Sequence, residues 1–153
     1  MGDNLKMVRM IADYQFGPGA GNVLFPRSCK FLLSSTGRVR QIIDRNKRIA
    51  TMKADSGWFT LSIEGAKRLH SYFPYPKLRV VVVSEVSEFI AKGRSVFAKH
   101  VVDVDPNIRA NDEVLVVSEE DVLLATGKAV LSAFEMLEME RGVAVKVRQG
   151  VKK

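Results

Sequence analysis

"AKGRSVFAKHVVDVDPNIRANDEVLVV", residues 91–117, holds a helix exit, two β-branched runs and two turns in quick succession. Gly93 suits the left-handed position that follows a helix, so the helix expected over residues 84–92, with Val86, Phe89 and Ile90 inward, ends there. The valine-rich runs that follow are separated by Asp105-Pro106-Asn107 and by Ala110-Asn111-Asp112, which are turn-forming triplets. Upstream, "LRVVVV" at residues 78–83 has the unbroken apolar character of a buried strand. Downstream come "LLATGKAVL", a Met-rich helix around residues 134–140 and "GVAVKVRQG". Many short strands with one or two helices plugging the ends predict a small, mostly β barrel.

The first half has a different texture. A helix is expected over residues 4–16, from the period of Leu5, Val8, Ile11 and Ala12. "YQFGPGAGNVLFP", residues 14–26, is glycine-rich, but a phosphate-gripping loop needs a strand before it and a helix start after it. A helix precedes it instead, and no Lys-Ser or Lys-Thr pair follows Gly21, so it reads as a connector. Next, "KFLLS", "RVRQIIDR", "RIATMKAD" and "WFTLSI" are spaced by Ser-Thr-Gly, Asn-Lys and Asp-Ser-Gly, the pattern of an antiparallel meander. A second helix over residues 64–72 puts Ala66, Leu69 and Phe73 on one face and stops at "FPYPK", where two prolines mark a domain junction. The expected architecture is therefore α+β: an N-terminal domain over residues 1–76, helices on an antiparallel sheet, and a mostly β domain over residues 77–153.

The 153 residues carry a formal charge of +7, which points to an anionic partner, nucleic acid above all. Residues 1–77 hold 13 Lys and Arg against 5 Asp and Glu, whereas residues 78–153 hold 11 against 12. The surplus lies in the first half, and a basic face on the second must come from segregation of its charges. Apolar runs such as Phe31–Leu33 and Val80–Val83 are far shorter than a bilayer span, and residues 1–20 lack a signal-peptide core, so the expected address is the cytoplasm. The single cysteine, Cys29, is expected to pack beside Phe31 in the core. Neither it nor His70 and His100 compose a zinc site or a nucleophile–base pair. Asp103 and Asp105 alternate on a strand with no third ligand at a defined spacing, so the expectation is turn-making and no metal or cofactor. Met136 and Met139 are expected to face inward. Trp58 and Phe59, after a Ser-Gly turn, are read either as strand core or as rings on which a base could stack.

"KGRSVFAKHV", the "DPNIRANDEVLVV" turn and strand, and the closing "RGVAVKVR" resemble the PUA domain, the RNA-binding module of pseudouridine synthases and archaeosine transglycosylases. "DYQFGPGAG…LFP", "GWFTLSIEGAKRL" and "FPYPKLRVVV" are similar to the domain that precedes PUA in archaeal tRNA-guanine (archaeosine) transglycosylases and their archaeosine synthase paralogue. The resemblance implies a pre-PUA α+β domain followed by a PUA pseudo-barrel. Enzymes of that family carry an upstream catalytic barrel with an aspartate nucleophile and zinc cysteines, and these residues include neither. What the resemblance implies is a non-catalytic, tRNA-binding unit that holds tRNA, by its acceptor end, for a separate transglycosylase chain. A translation- or ribosome-associated PUA protein binding rRNA or initiator tRNA is the alternative, and an enzyme acting alone comes third.

Two segments are candidate RNA contacts. In the first, a side-chain-free Gly93 lets backbone approach a phosphate or sugar while Lys92, Arg94, Ser95 and Lys99 supply charge and hydrogen bonds. The same residues also read as an ordinary helix end and turn, and both can hold together. In the second, alternation buries Val143, Val145 and Val147 and turns Lys146 and Arg148 outward. That is a half-solvated strand by itself; PUA resemblance sets Arg141, Gly142, Lys146 and Arg148 beside the Gly93 corner for the same RNA segment.

Overall fold

The computed structural model of the chain describes residues 2–152. It divides in sequence between Tyr72 and Phe73 into two compact units.

The first unit opens with helix α1 (Gly2–Phe16), whose Val8, Ala12 and Phe16, one turn apart, are buried. The glycine-rich stretch is a connector that includes a short helix of its own, α2 (Ala20–Leu24), entered through Gly19 at φ 94°. Gly21 is there for close approach: a Cβ would stand 2.3 Å from the Arg9 carbonyl oxygen, and its N–H donates to Asp13 Oδ1 at 2.7 Å. Strands β1 (Lys30–Leu33), β2 (Val39–Asp44), β3 (Lys47–Met52) and β4 (Phe59–Leu61) then form the expected antiparallel meander, paired in chain order. The β2–β3 reversal is made by Arg45 and Asn46, at φ 53° and 68°, the two left-handed residues of a tight hairpin. Lys47 is already in the strand.

Helix α3 (Ile63–Tyr72) lays Ala66 and Leu69 into the core with Ile42, Ile49 and Phe59. Arg68 ties it to the sheet, donating to the buried Asp44 carboxylate at 2.8 Å, and Ser28 Oγ donates to the same group. Burial pushes the Asp44 carboxyl up, but the Ser28 and Arg68 hydrogen bonds outweigh it and hold the group below the usual carboxylate range. Cys29 is half-buried, outside the core proper, and burial together with the negative Asp44 pushes its thiol up to about 11. Of the adjacent aromatics, Phe59 is core whereas Trp58 is exposed.

The second unit is a mixed six-stranded sheet that curls into a half-barrel. Its elements are β5 (Arg79–Val82), α4 (Ser87–Ala91), β6 (Val96–Phe97), β7 (Val101–Val104), β8 (Glu113–Val117), β9 (Leu123–Ala129), α5 (Ala133–Glu138) and β10 (Val143–Gly150). The strand order is β6-β10-β9-β8-β5-β7, with β5 and β8 parallel and the other pairs antiparallel. Val80, Val82, Val114, Val116, Ala125 and Val145 line the core, with Ile90 of α4 and Met136 of α5 closing over it. A reciprocal capping box between Ser132 and Glu135 starts α5.

Several sequence expectations need correction here. The helix over residues 84–92 is a 3₁₀ turn (Ser84–Val86) followed by α4, and Phe89 points outward, 57% exposed. Met139 lies at the C-cap of α5 and is likewise exposed, while Met136 is buried. A helix of five or six residues is too short for its period to fix a face, so the reading of inward positions fails first there. Arg79, read only as the start of a valine run, is completely buried; its guanidinium donates to the Phe73 and Lys77 carbonyls and pairs with Asp121. Asp105 makes its turn as expected, accepting from the Asn107 N–H at 3.0 Å, and also takes the Leu78 N–H at 2.8 Å. Asp103 accepts from the Tyr75 hydroxyl, which raises the phenol pKa. Among the described residues no group of three or more His, Cys, Asp or Glu side chains could hold a metal ion, and no helix is long and apolar enough to cross a membrane.

Candidate nucleic-acid interface

The two candidate segments are laid side by side, in opposite directions. Phe97 pairs with Val143 and Val96 with Val145, Ser95 Oγ accepts the Val147 N–H at 3.2 Å, and Gly150 packs so tightly under the α4 exit that a Cβ there would stand 2.8 Å from Gly93 N. Residues 93–97 therefore run antiparallel along the whole of β10. Gly93 lies at its C-terminal end and Gly142, whose carbonyl accepts from Ala98 N–H, at its N-terminal end. At about 3.3 Å of rise per residue, residues 93–97 span about 13 Å beside the eight residues of β10, the difference being taken up by register shifts in β10. The candidate residues compose a strip along a sheet edge, with the Gly93 corner at one end.

Both glycines that bound the strip have backbones only glycine adopts readily, Gly93 at φ 108° and Gly142 at φ 97°, and at each a Cβ would point into open space. Gly142 is exposed and Gly93 half-buried, with the Gly93 N–H donating to the Ile90 carbonyl. Around Gly93, Lys92 caps α4 and Arg94 is exposed, its N–H donating to the Phe89 carbonyl. Glu88 also lies at this end: Lys152 donates to it at 2.7 Å, Lys92 lies 3.9 Å away, and the hydrogen bond and charge of Lys152, with that of Lys92, hold the Glu88 carboxyl below its ordinary value. At the other end stand Arg141 beside Gly142, and Lys99 in the 3₁₀ turn that follows β6 (Ala98–His100). Lys146 is exposed between them. Arg94, Lys99, Arg141 and Lys146 take part in no ion pair among the described residues.

Arg148 stands apart. Its two terminal guanidinium nitrogens, Nη1 and Nη2, donate to the Glu113 carboxylate, Nη2 at 2.8 Å, and that carboxylate is buried. The simple alternation of β10 also gives way: the register shifts between Val143 and Val145 and again between Val147 and Gln149, so that Ala144 and Val145 are both buried while Val143 and Val147 are half-buried. Lys146 and Arg148 do turn outward. Lys128, remote in sequence, is the cross-strand partner of Lys146, and its other cross-strand neighbour is Glu113. Sequence reasoning missed Lys128, which strand pairing alone reveals, and Phe89 and Phe97, exposed rings flanking the Gly93 and Gly142 ends.

A bare glycine backbone, hydrogen-bonding serine, spaced cations and exposed rings on one sheet edge form a surface suited to an extended polyanion with aromatic bases. Residues 78–151 match the PUA domain, and residues 6–76 match the patch-forming domain C2 of tRNA-guanine transglycosylase. The chain thus carries a PUA domain with a C2-type domain of tRNA-guanine transglycosylase ahead of it. It is similar to the tRNA-guanine(15) transglycosylase of Methanothermobacter thermautotrophicus, 52% identical over 149 residues that make up 97% of this chain and 23% of that protein. The tRNA-guanine(15) transglycosylase of Thermococcus kodakarensis is 49% identical over 152 residues, 99% of this chain and 26% of its own length. The chain thus spans about a quarter of the curated relatives it matches. Two solved structures share the fold: a hypothetical protein of Pyrococcus horikoshii OT3, 23% identical with a TM-score of 0.76 over 100% of this chain and 93% of that one, and a PUA domain of Aeropyrum pernix K1, 15% identical with a TM-score of 0.70 over 100% and 84%.

Proposed function

We propose that the chain is an RNA-binding unit of tRNA modification that holds tRNA by its acceptor end through the β6–β10 strip, the base chemistry being supplied by a transglycosylase catalytic chain. The observation that carries the reading is the antiparallel run of residues 93–97 along β10, which strings Lys92, Gly93, Arg94, Ser95, Lys146, Arg141, Gly142 and Lys99 along one edge. Phosphate contacts from the cations supply affinity and register, and the two side-chain-free glycines let an unpaired strand approach the main chain closely. The relatives' name, tRNA-guanine(15) transglycosylase, supports tRNA as the RNA and archaeosine formation as the setting. Arg148 contributes on this reading through the Glu113 pair, by fixing the outer face of β10.

Binding of tRNA by point variants tests the strip. Arg94→Ala and Lys146→Ala are each expected to remove a charge-assisted bond worth about 1.5 to 3 kcal/mol, and so to weaken binding roughly ten-fold to a hundred-fold. A control cation must lie away from the strip, which rules out Lys128, the cross-strand neighbour of Lys146. Lys77→Gln is a better one, because Lys77 precedes β5, three strands from β10, and lies over the Phe73 ring. Equal losses from Lys77→Gln and Arg94→Ala would show diffuse attraction and sink the strip. Incubated with tRNA and labelled base, the chain alone is expected to exchange nothing and to lower the apparent KM of the catalytic chain for tRNA. Co-purification with ribosomal subunits instead would favour the rRNA or initiator-tRNA reading.

A further inference from the structure

The first unit carries a stacked aromatic pair at its surface. Tyr14, near the end of α1, and Trp58, just before β4, stack with ring centroids 5.7 Å apart and planes 11° from parallel. Tyr14 is 83% exposed and Trp58 41%. Since one face of Tyr14 lies against Trp58, its exposure belongs to the other face and the edges. Rings of this size usually contribute by being buried, and here Trp58 is a little more than half buried while Tyr14 is left almost wholly in solvent, so core packing does not account for the placement of Tyr14.

Its geometry is nonetheless held firmly. Gln15, next to Tyr14, clamps the adjacent Phe59 backbone from both sides: its Nε2 donates to the Phe59 carbonyl at 2.9 Å and its Oε1 accepts the Phe59 N–H at 2.9 Å. Phe59 itself is buried against Phe25, centroids 5.2 Å apart. On the other side, the turn before Trp58 is closed by Lys53 N–H donating to the Trp58 carbonyl at 2.8 Å and by Trp58 N–H donating to Ser56 Oγ at 3.2 Å, with Gly57 at φ 77°. A side-chain amide and a closed turn fix two exposed rings parallel to each other.

We infer that Tyr14 and Trp58 form a stacking platform for one unpaired nucleobase of a bound RNA, a second contact in the C2-type domain that rests on the RNA-binding reading above. Parallel rings leave a flat π face on which a third ring continues the stack, and any base can do so because every base has such a face. Charge complementarity favours RNA over a protein segment. The platform sits in the half of the chain that carries 13 Lys and Arg against 5 acids, with Lys53 in the turn that positions Trp58. Of the acids nearby in sequence, Asp13 accepts the Gly21 N–H, and Asp55 lies in the turn. Met7 and Met10 extend an exposed apolar ridge one and two turns before Tyr14, which is the feature a protein partner would use instead.

Trp58 is the only tryptophan of the chain, so its fluorescence reports on this site alone. Titrating the full chain with short single-stranded oligoadenylate should quench Trp58 emission along the same curve as binding measured by gel shift, while an RNA duplex of equal length should bind with little quenching. Tyr14→Leu should weaken single-strand binding by roughly ten-fold, within the range for loss of one stacked base, and Tyr14→Phe should keep it within about two-fold. Single-strand binding with unchanged Trp58 emission, or wild-type affinity in a folded Tyr14→Leu protein, would overturn the platform and leave the β6–β10 strip standing. Failure of any RNA to bind would overturn both. Emission that depends on protein concentration and not on RNA would assign the platform to self-association and overturn the inference as well.

Discussion

Arg148 shows how much a single residue's role depends on what lies two strands away. Along β10 it alternates outward with Lys146, and by spacing the two are equivalent cations. In the folded unit Lys146 is exposed beside Lys128, whereas Arg148 covers the buried carboxylate of Glu113. Removing Arg148 leaves a desolvated negative charge without its counter-ion, while removing Lys146 relieves a like-charge neighbour. Arg148→Ala should therefore lower stability by about 1 to 3 kcal/mol, a loss reduced from that of a fully buried pair because the guanidinium is a third exposed. Lys146→Ala should stay within about 0.5 kcal/mol of the parent. Thermal melts of the two variants, compared with their RNA affinities, separate the structural cation from the binding one. Equal stability in both would mean that the Arg148–Glu113 pair contributes nothing to the fold. No feature of "AVKVRQG" distinguishes the two residues, because the partner that does so, Glu113, is set by β8–β9–β10 pairing.

Elements were legible where their signals are local. The meander of the first unit follows from β-branched runs cut by turn residues, and even its one-residue discrepancy at Arg45-Asn46 leaves the strand count unchanged. The valine runs of β5, β7 and β8 declare themselves in the same way, but not that β5 and β8 are parallel, which depends on a connection through β6 and β7. The bulges of β10 were also illegible, since each inserts a residue without altering composition. Gly127 gives one clue: a glycine inside a strand often marks a close approach of another backbone. In β9 a Cβ at Gly127 would stand 2.2 Å from the Lys146 carbonyl oxygen and 2.8 Å from Val147 Cα. Main-chain atoms cannot rotate aside as a side chain can. Gly127→Ala is thus expected to push β10 off β9 and cost about 1 to 3 kcal/mol, the range for forced overpacking, and to weaken RNA binding although the residue is buried. Urea unfolding with a parallel binding titration checks it; wild-type stability would show that β10 shifts freely and that the strip is not held by this contact.

At the scale of the whole molecule, charge is divided unequally between two modules of similar size. The excess of basic residues falls in residues 1–77, while the PUA domain is close to neutral and concentrates its cations on one edge. Affinity that rests on phosphate neutralisation releases counter-ions, so log K falls with log salt by about 0.7 per contact for a single strand and 0.9 for a duplex. If the first unit only carries the second, removing its surface charge leaves that slope unchanged. If both engage the same RNA, the slope records it. Arg38, Arg40, Arg45 and Arg48 are exposed around the β1–β2 and β2–β3 turns, and no ion pair joins them among the described residues. Replacing all four by Gln keeps the core intact and lowers the charge by four. The expected result is tRNA binding that is weaker at low salt and has a shallower salt dependence, by about 0.7 to 0.9 for each of these arginines that meets a phosphate. Parent and variant slopes that coincide between low and physiological salt would confine the phosphate contacts to the PUA edge, and the basic surplus of the first unit would then need a partner other than RNA.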